Sequence, residues 1–472
     1  MNIFSFFFNI YFYNQFFYFK HLPYSSKNIQ NRNSLKYSFS CYDYYNVSRK
    51  IVKKSKFNLL FILLAVPCFL NAQHKDTVKY VKKNLLKNNF ITRNGITHYN
   101  QEDLIDVYRF ILHKDMNTRK YTYEHKHIAG KPHISVLPAA GYTLTTGFAG
   151  VISNNIAFYT SDSTTQKISS IFTSVAYTQH NQIILPIHFN LWTKGNKYNI
   201  VTEWRYMKFP SPTYGLGGST LLKDGYNIDF SDLKLHQTIY KSISKNLYAG
   251  FGYFFDYFWN ISETKPPANT VTDFEKYGVS NSESSSGIAL RLLYDSRLNQ
   301  INPRNGFYAN VVLRPNFTFL GSQNNWQSLL LEFRKYIKFS KHSKNVLAFW
   351  SYNWLTTGGK TPYLMLPSTG WDDAFNTGRG YIQGRFRGNN MLYMEAEYRF
   401  GILHNGLIGG VIFANTQSFS SGLNKEIVNM SPAFGTGLRI KLNKFSGANL
   451  CIDYGIGIDG SNGFFVNLGE VF

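Results

Sequence analysis

The stretch FNTGRGYIQGRFRGNN, residues 375–390, sets Arg379, Arg385 and Arg387 among glycines and aromatics, with no apolar periodicity. Guanidinium forks suit bidentate pairing with carboxylates or phosphates. Gly378 and Gly380 would let the backbone fold tightly against a surface. One expectation is that Arg379 is buried against a carboxylate; the other is a solvated basic loop in which Arg385 and Arg387 bind surface anions. A second cluster, His125, His127 and His133 in HKHIAGKPH, lacks neighbouring Cys or acidic ligands at fixed spacing, so no metal site is expected. No Gly-x-Ser-x-Gly elbow and no phosphate-binding Walker loop occurs. The chain is therefore read as a non-enzyme with no catalytic residue and no cofactor.

The elements that must position the arginines are strands. Seventeen per cent of the 472 residues are aromatic. From about His133 onward the sequence alternates with a period of two. In NLYAGFGYFFDYFWN, Leu247, Ala249, Phe251, Tyr253, Phe255, Tyr257 and Trp259 share one face, opposite Gly250, Gly252 and Asp256. In GFYANVVLRPNFTF, Phe307, Ala309, Val311, Leu313, Phe317 and Phe319 oppose Asn310, Arg314, Asn316 and Thr318. In NMLYMEAEYRF, Leu392, Met394, Ala396, Tyr398 and Phe400 oppose Glu395, Glu397 and Arg399.

A soluble sandwich would show the same period. Long strands, aromatics near strand ends and an export signal favour an all-β fold: a transmembrane antiparallel β-barrel of about 16 strands over residues 132–472. In lipid an open sheet edge cannot persist, so the sheet must close.

Ahead of the barrel, KKSKFNLLFILLAVPCFLNAQ has the layout of a secretory signal at 53–72, with cleavage expected after Ala72. Its apolar run is shorter than the ~20 residues a spanning helix needs. Residues 1–52 form an aromatic leader with no assigned role. Residues 73–131 are expected to be a short helical periplasmic segment. Within it Asn100 would cap a helix carrying Leu104, Val107, Tyr108 and Ile111 on one face, and Val78, Val81 and Leu85 suggest another. Removal of 1–72 leaves Cys451 alone, so no disulfide framework is expected. Of the formal charge of +23, residues 1–72 carry nine bases and one acid, and the basic excess that remains is scattered through alternating strands without a basic helix or finger. That argues against nucleic acid and for anionic lipid headgroups, lipopolysaccharide included.

Several segments resemble the BamA/TamA family of outer-membrane assembly barrels, the bacterial surface antigen family. Arg379-Gly380-Tyr381 resembles its Arg-Gly-Phe/Tyr signature. YDSRLNQINPRNGFY resembles its strand–turn–strand segment, here Asp295, Arg297, Pro303 and Gly306. GTGLRIKL and CIDYGIG, with Arg439 and Asp453, look like its penultimate strands. The resemblance implies that the sixth extracellular loop enters the barrel and that Arg379 meets inward carboxylates, with Glu397 and Glu395 as candidates. A second acidic partner expected on GLIGGVIFANTQSF is replaced by Ala414 or Asn415. Segment 73–130 is too short and too helical to resemble a POTRA domain, the periplasmic client-receiving module.

At the end of the chain, Phe464, Val466 and Leu468 stand in phase with Phe472, as in the signal by which such barrels are recognised for assembly; Glu470 breaks the phase. The implied partners are outer-membrane lipids, the barrel assembly machinery for the chain's own insertion, and unfolded outer-membrane or secreted proteins as clients. Two functions follow: an assembly or translocation device with a lateral seam, in which Pro138, Gly141 and Gly147 would weaken the first strand, or a passive pore or surface-binding barrel.

Overall fold

The computed structural model describes residues 90–472 apart from 94–95, 100, 113–127, 144, 265, 267–270, 279, 340–342, 344 and 421–426. The leader, the signal and the helix expected around Val78, Val81 and Leu85 lie outside the described residues.

A hairpin of β1 (Phe90–Arg93) and β2 (Ile96–Tyr99) precedes α1 (Leu104–Ile111). The barrel begins with β3 (His133–Thr143), β4 (Gly147–Phe158), β5 (Ser169–Thr178), β6 (Ile183–Trp192) and β7 (Tyr198–Lys208). It continues with β8 (Ser211–Thr213), β9 (Tyr226–Ser244), β10 (Leu247–Thr264), β11 (Ser282–Asp295), β12 (Gly306–Asn316) and β13 (Trp326–Lys338). It ends with β14 (Val346–Gly359), β15 (Asn390–Gly401), β16 (Ile408–Ser420), β17 (Ile427–Lys441), β18 (Asn449–Gly457) and β19 (Asn462–Leu468). Pairing is antiparallel throughout, and β19 returns to β3 to close the cylinder. The three-residue β8 pairs only the outer end of β9, so sixteen strands form the wall.

Alternation acts as expected on the outer face. Phe251 and Tyr253 on β10 are 59% and 46% exposed, and Met394 on β15 is 59% exposed. Such residues face solvent only if that solvent is lipid. The inner face departs from a simple polar surface. On β10 it carries Tyr248, Phe254 and Phe258 beside Asp256, all buried. Guanidinium groups lie on these inward rings, Arg314 5.4 Å from Phe254 and Arg334 5.1 Å from Trp350. The lumen is thus filled by cation–π pairs rather than lined only by polar groups. Phe317 and Phe319 also differ from expectation: β12 stops at Asn316, and the two rings meet at a tilt in the following turn, their centroids 5.1 Å apart.

Turns at one end are short. The β9–β10 turn is Lys245-Asn246, with Asn246 at φ 63°, a left-handed conformation that asparagine tolerates. The opposite end carries the long connections, above all 360–389 between β14 and β15. β9 and β10, of 19 and 18 residues, exceed the ~9–11 that a tilted strand needs to cross lipid. Their outer ends, with Tyr226, Ile228, Phe230, Phe258 and Ile261, join Tyr363, Leu364 and Trp371 of the long loop in one apolar cluster. α2 (Asp273–Tyr277) adds Phe274 and Tyr277 to it.

Among its described residues, the segment before the barrel holds the β1–β2 hairpin as well as the helix α1. α1 is capped by Asp103, not Asn100, in a reciprocal capping box with Asp106. Its buried side is acidic. Asp106 meets Lys444 Nζ at 2.6 Å, and Asp103 accepts from the Lys444 backbone N–H at 2.8 Å. Glu102 accepts from Asn405 Nδ2 at 2.8 Å. Burial pushes the Glu102 carboxyl above its ordinary range. Of the apolar row, Tyr108 and Ile111 face outward, 62% and 55% exposed, while Leu104 and Val107 are half-buried.

Placing a charge on the outer face tests the orientation. Met394→Arg, near the middle of β15, should cost ~2–4 kcal/mol of folding stability in vesicles. Urea titration of the refolded variant should show this, and unchanged stability would mean Met394 does not face lipid.

Candidate functional site

The loop 360–389 descends into the lumen on a stem built around Asp372. Its Oδ1 accepts from the Thr377 backbone N–H and hydroxyl, both at 2.7 Å, and from the Asn376 N–H at 2.9 Å. This local turn delivers Gly378, Arg379 and Gly380 to the wall. Gly378 and Gly380 have φ of 79° and 108°, the left-handed region that glycine adopts without strain. A Cβ on Gly380 would lie 2.8 Å from Ala433 Cβ, and one on Gly455 would lie 2.7 Å from the Gly380 nitrogen. Backbone therefore rests directly on backbone, because both surfaces lack side chains there.

Arg379 is 1% exposed. Its Nη2 donates to Glu395 and to Glu397, and its Nη1 donates to Asp453 Oδ2 at 2.5 Å. The guanidinium lies 3.8 Å above the Phe413 ring, and its backbone oxygen accepts from Asn415 Nδ2 at 2.9 Å. Register explains the convergence. Glu395 and Glu397 are two apart on β15, where alternate residues share the inner face. Asn415 and Phe413 stand opposite them on β16. On β17 the residue opposite Asp453 is Gly437, whose Cβ would lie 1.8 Å from Asp453 Oδ1. Glycine there gives the carboxylate room to reach the loop.

The acids are shared with two wall arginines. Arg399 Nε donates to Glu397 Oε2 at 2.6 Å, and Arg439 Nη1 donates to Asp453 Oδ1 at 2.5 Å. Arg439 Nε also reaches Glu470 Oε2 at 2.8 Å. Three guanidinium groups and four carboxylates thus form one network, with Tyr393 donating its hydroxyl to Glu395. Glu395 and Glu397 are the partners that the resemblance implies; the third acid, Asp453, stands on β18, two strands beyond the β16 position where the further acid is expected. Only its inward phase in CIDYGIG marked it.

Tyr381 is buried and hydrogen-bonds both flanks, donating to Pro432 O at 2.6 Å and accepting from the Ile458 N–H at 3.2 Å. Arg385 and Arg387 are not a solvated basic surface, being 1% and 2% exposed. Arg385 donates to Thr220 Oγ1 and O at 2.8 and 2.6 Å, and Arg387 donates to Tyr363 O at 3.1 Å. Both guanidinium groups crosslink loops, because the dome of long connections covers them.

Asp295, Arg297, Pro303 and Gly306 lie at the other end, in the β11–β12 turn. Arg297 donates through its backbone N, Nε and Nη2 to Asp295 at 2.9, 3.0 and 3.2 Å. Gly306, at φ 115°, lets β12 start beside Arg297, and Pro303 is buried in the turn. These four form a turn staple and do not contact Arg379.

At the end of the chain Phe464 and Val466 face outward, 50% and 43% exposed, and Leu468 is half-buried. Phe472 does not continue that row. β19 stops at Leu468, Gly469 takes φ 92°, and the chain turns inward. Phe472 then stacks on Trp350 at 5.2 Å and its backbone oxygen accepts from Arg399 Nη2 at 3.1 Å. Glu470, the acid that interrupts the apolar row, makes this turn favourable by meeting Arg439.

A sixteen-strand wall with a loop arginine clamped to inward acids defines an outer-membrane barrel that folds its own connection inside. The Omp85 superfamily domain matches residues 224–472, from the start of β9 through the network. The chain belongs to the Omp85 superfamily, the BamA/TamA-like relationship that its Arg-Gly-Tyr loop suggested. Among solved structures it is similar to BamA from Haemophilus ducreyi lacking POTRA domains 1–3, at 13% identity and a TM-score of 0.46, covering 72% of this chain and 70% of that one. It is also similar to CdiB from Acinetobacter baumannii, at 11% identity and a TM-score of 0.45, covering 72% of this chain and 60% of that one. CdiB from Escherichia coli gives 8% identity and a TM-score of 0.46, over 71% and 61%. The chain therefore spans about 60% of the two CdiB chains. Comparison with curated proteins gives no match.

Gly455→Ala tests the backbone approach without touching any charge. The added methyl should displace Gly380 and lower the temperature at which the compact, heat-modifiable gel form is lost. Loss of that form at the wild-type temperature would show that the loop does not rest on β18.

Proposed function

We propose that the barrel assists the insertion or translocation of proteins at the outer membrane through a lateral seam between β19 and β3. The observation that carries this reading is the shortness of β19. Its seven residues can offer β3 far fewer ladder positions than the ten to thirteen paired along most other joints, and contact there is the thinnest between full-length neighbours. On β3, Pro138 cannot donate to a ladder, so one further bond is missing on one of its two sides. An edge that pairs weakly with its own barrel is available to an incoming strand.

The long loop supports the reading because it holds both sides of this joint. Gln383 N donates to Thr145 Oγ1 in the β3–β4 turn at 3.1 Å. Asn376 accepts from Asn467 on β19 and donates to Val471 O, both at 2.6 Å. Opening the seam would then require the loop to let go of one side. Clients would be unfolded outer-membrane or secreted proteins, with outer-membrane lipids, lipopolysaccharide included, around the outer wall. On this reading the signal at 53–72 is removed on export and no bond-making chemistry is involved. The passive-pore alternative is disfavoured by the filled lumen, where Tyr381, Phe386, Trp350 and Phe472 share one buried cluster.

Liposomes carrying the purified barrel distinguish the two. An unfolded barrel client should insert several-fold faster than into empty liposomes, with no steady conductance. Steady conductance without faster insertion would establish the pore.

A further inference from the structure

We propose that the barrel binds a divalent cation between Glu203 of β7, His236 of β9 and Asp373 of the loop stem, outside the Arg379 network. One ligand atom from each lies within 4.8 Å of the others. Antiparallel register sets Glu203 directly opposite His236. The loop then brings Asp373 to them.

His236 carries the decisive geometry. It is 6% exposed and stacks on Phe254 at 3.8 Å. Its Nε2 meets Asp256 Oδ2 at 2.9 Å, and that carboxylate is held as an anion by Arg314 at 2.6 Å. The proton is therefore placed on Nε2, leaving a lone pair on Nδ1. Nδ1 faces Glu203 Oε2 at 4.0 Å, beyond hydrogen-bond reach, and has no donor among the described residues. A carboxylate on the far nitrogen of a ring whose near nitrogen faces other oxygens is how metal-bound histidines are oriented.

Charge points the same way. Arg205 is taken by Asp232 at 2.7 Å, Arg314 by Asp256, and Lys234 by Oδ1 of Asp373. Among the described residues Glu203 has no lysine or arginine within ion-pair distance, although Arg291 lines the same cavity, and its ligand oxygen lies within 4.8 Å of one of Asp373. Two carboxylates that close share either a proton or a cation. A shared proton would leave Nδ1 unmet; a cation satisfies all three. A cavity of about 90 Å³ adjoins them, and the Asp373 side chain is 41% exposed. One imidazole and two carboxylates suit Zn²⁺ or Mn²⁺. The ion would staple the stem of the long loop to β7 and β9.

The test uses the full barrel refolded in detergent, stripped with EDTA, equilibrated with ZnCl₂ or MnCl₂ and dialysed. Metal content is read by mass spectrometry beside His236→Gln and Asp373→Asn, with heat-modifiability on gels confirming that each is folded. Wild type should retain one equivalent, and each variant should bind about tenfold or more weakly. The metal should also raise the temperature at which the compact form is lost in wild type only. Asp373 is half-exposed on the loop, so its variant keeps the test decidable if His236→Gln fails to fold. No retained metal in wild type, which leaves proton sharing, overturns the proposal. Equal retention in both variants, which places the metal on other histidines, overturns it too.

Discussion

Burying a guanidinium costs several kcal/mol unless its charge and N–H groups are met. Arg379 sits at 1% exposure with Glu395, Glu397 and Asp453 around it. Most of the local design follows from this requirement. The acids must point into a lumen, so they occupy the inner phase of β15 and β18. The loop must reach the middle of the wall, so it is long and turns on Asp372. Its backbone must lie flat on β18, so Gly380 faces Gly455 and Gly457. The surplus of acid over Arg379 is balanced by Arg399 and Arg439 on the wall itself.

The network is also where separate parts of the barrel meet. Glu470 joins it from the inward turn after β19, and Phe472 closes over Arg399. The same loop reaches the β3–β4 turn through Gln383 and the outer dome through Arg385 and Arg387. A change at the arginine therefore bears on the seam and on the extracellular cover at once. The aromatic fill of the lumen adds to this coupling, since close-packed side chains pass a displacement on rather than absorb it.

Much of this was legible in the residues. Period-two alternation identified the outward rows of β10, β12 and β15, and a closed wall of sixteen strands followed from the lipid they face. Arg379, Glu395 and Glu397 could be grouped because the family resemblance implies that the loop arginine meets inward acids, and the two glutamates share one strand and phase. Asp453 was harder, because its approach depends on the register of β17 against β18 and on the side-chain gap at Gly437. Phe472 was assigned outward by phase alone; a positive φ at Gly469 breaks that phase, and a local pattern cannot show it. Arg385 and Arg387 read as surface cations because their partners lie well apart from them in the sequence: Thr220 and, at 3.9 Å, Asp459 for Arg385, and the backbone carbonyl of Tyr363 for Arg387. The Glu203–His236–Asp373 group joins two wall strands to a distant loop, so no local spacing announces it.

The central claim is that Arg379 and Asp453 interact directly inside the barrel. A double-mutant cycle measures this, with urea unfolding of Arg379→Ala, Asp453→Ala and the double variant refolded in lipid. Each single change should cost ~3–5 kcal/mol, as for a broken buried pair. The double should cost less than their sum by at least about 1 kcal/mol. Additivity within about 0.5 kcal/mol would mean the two side chains do not share an interaction, and the account of a loop locked by its arginine would be wrong.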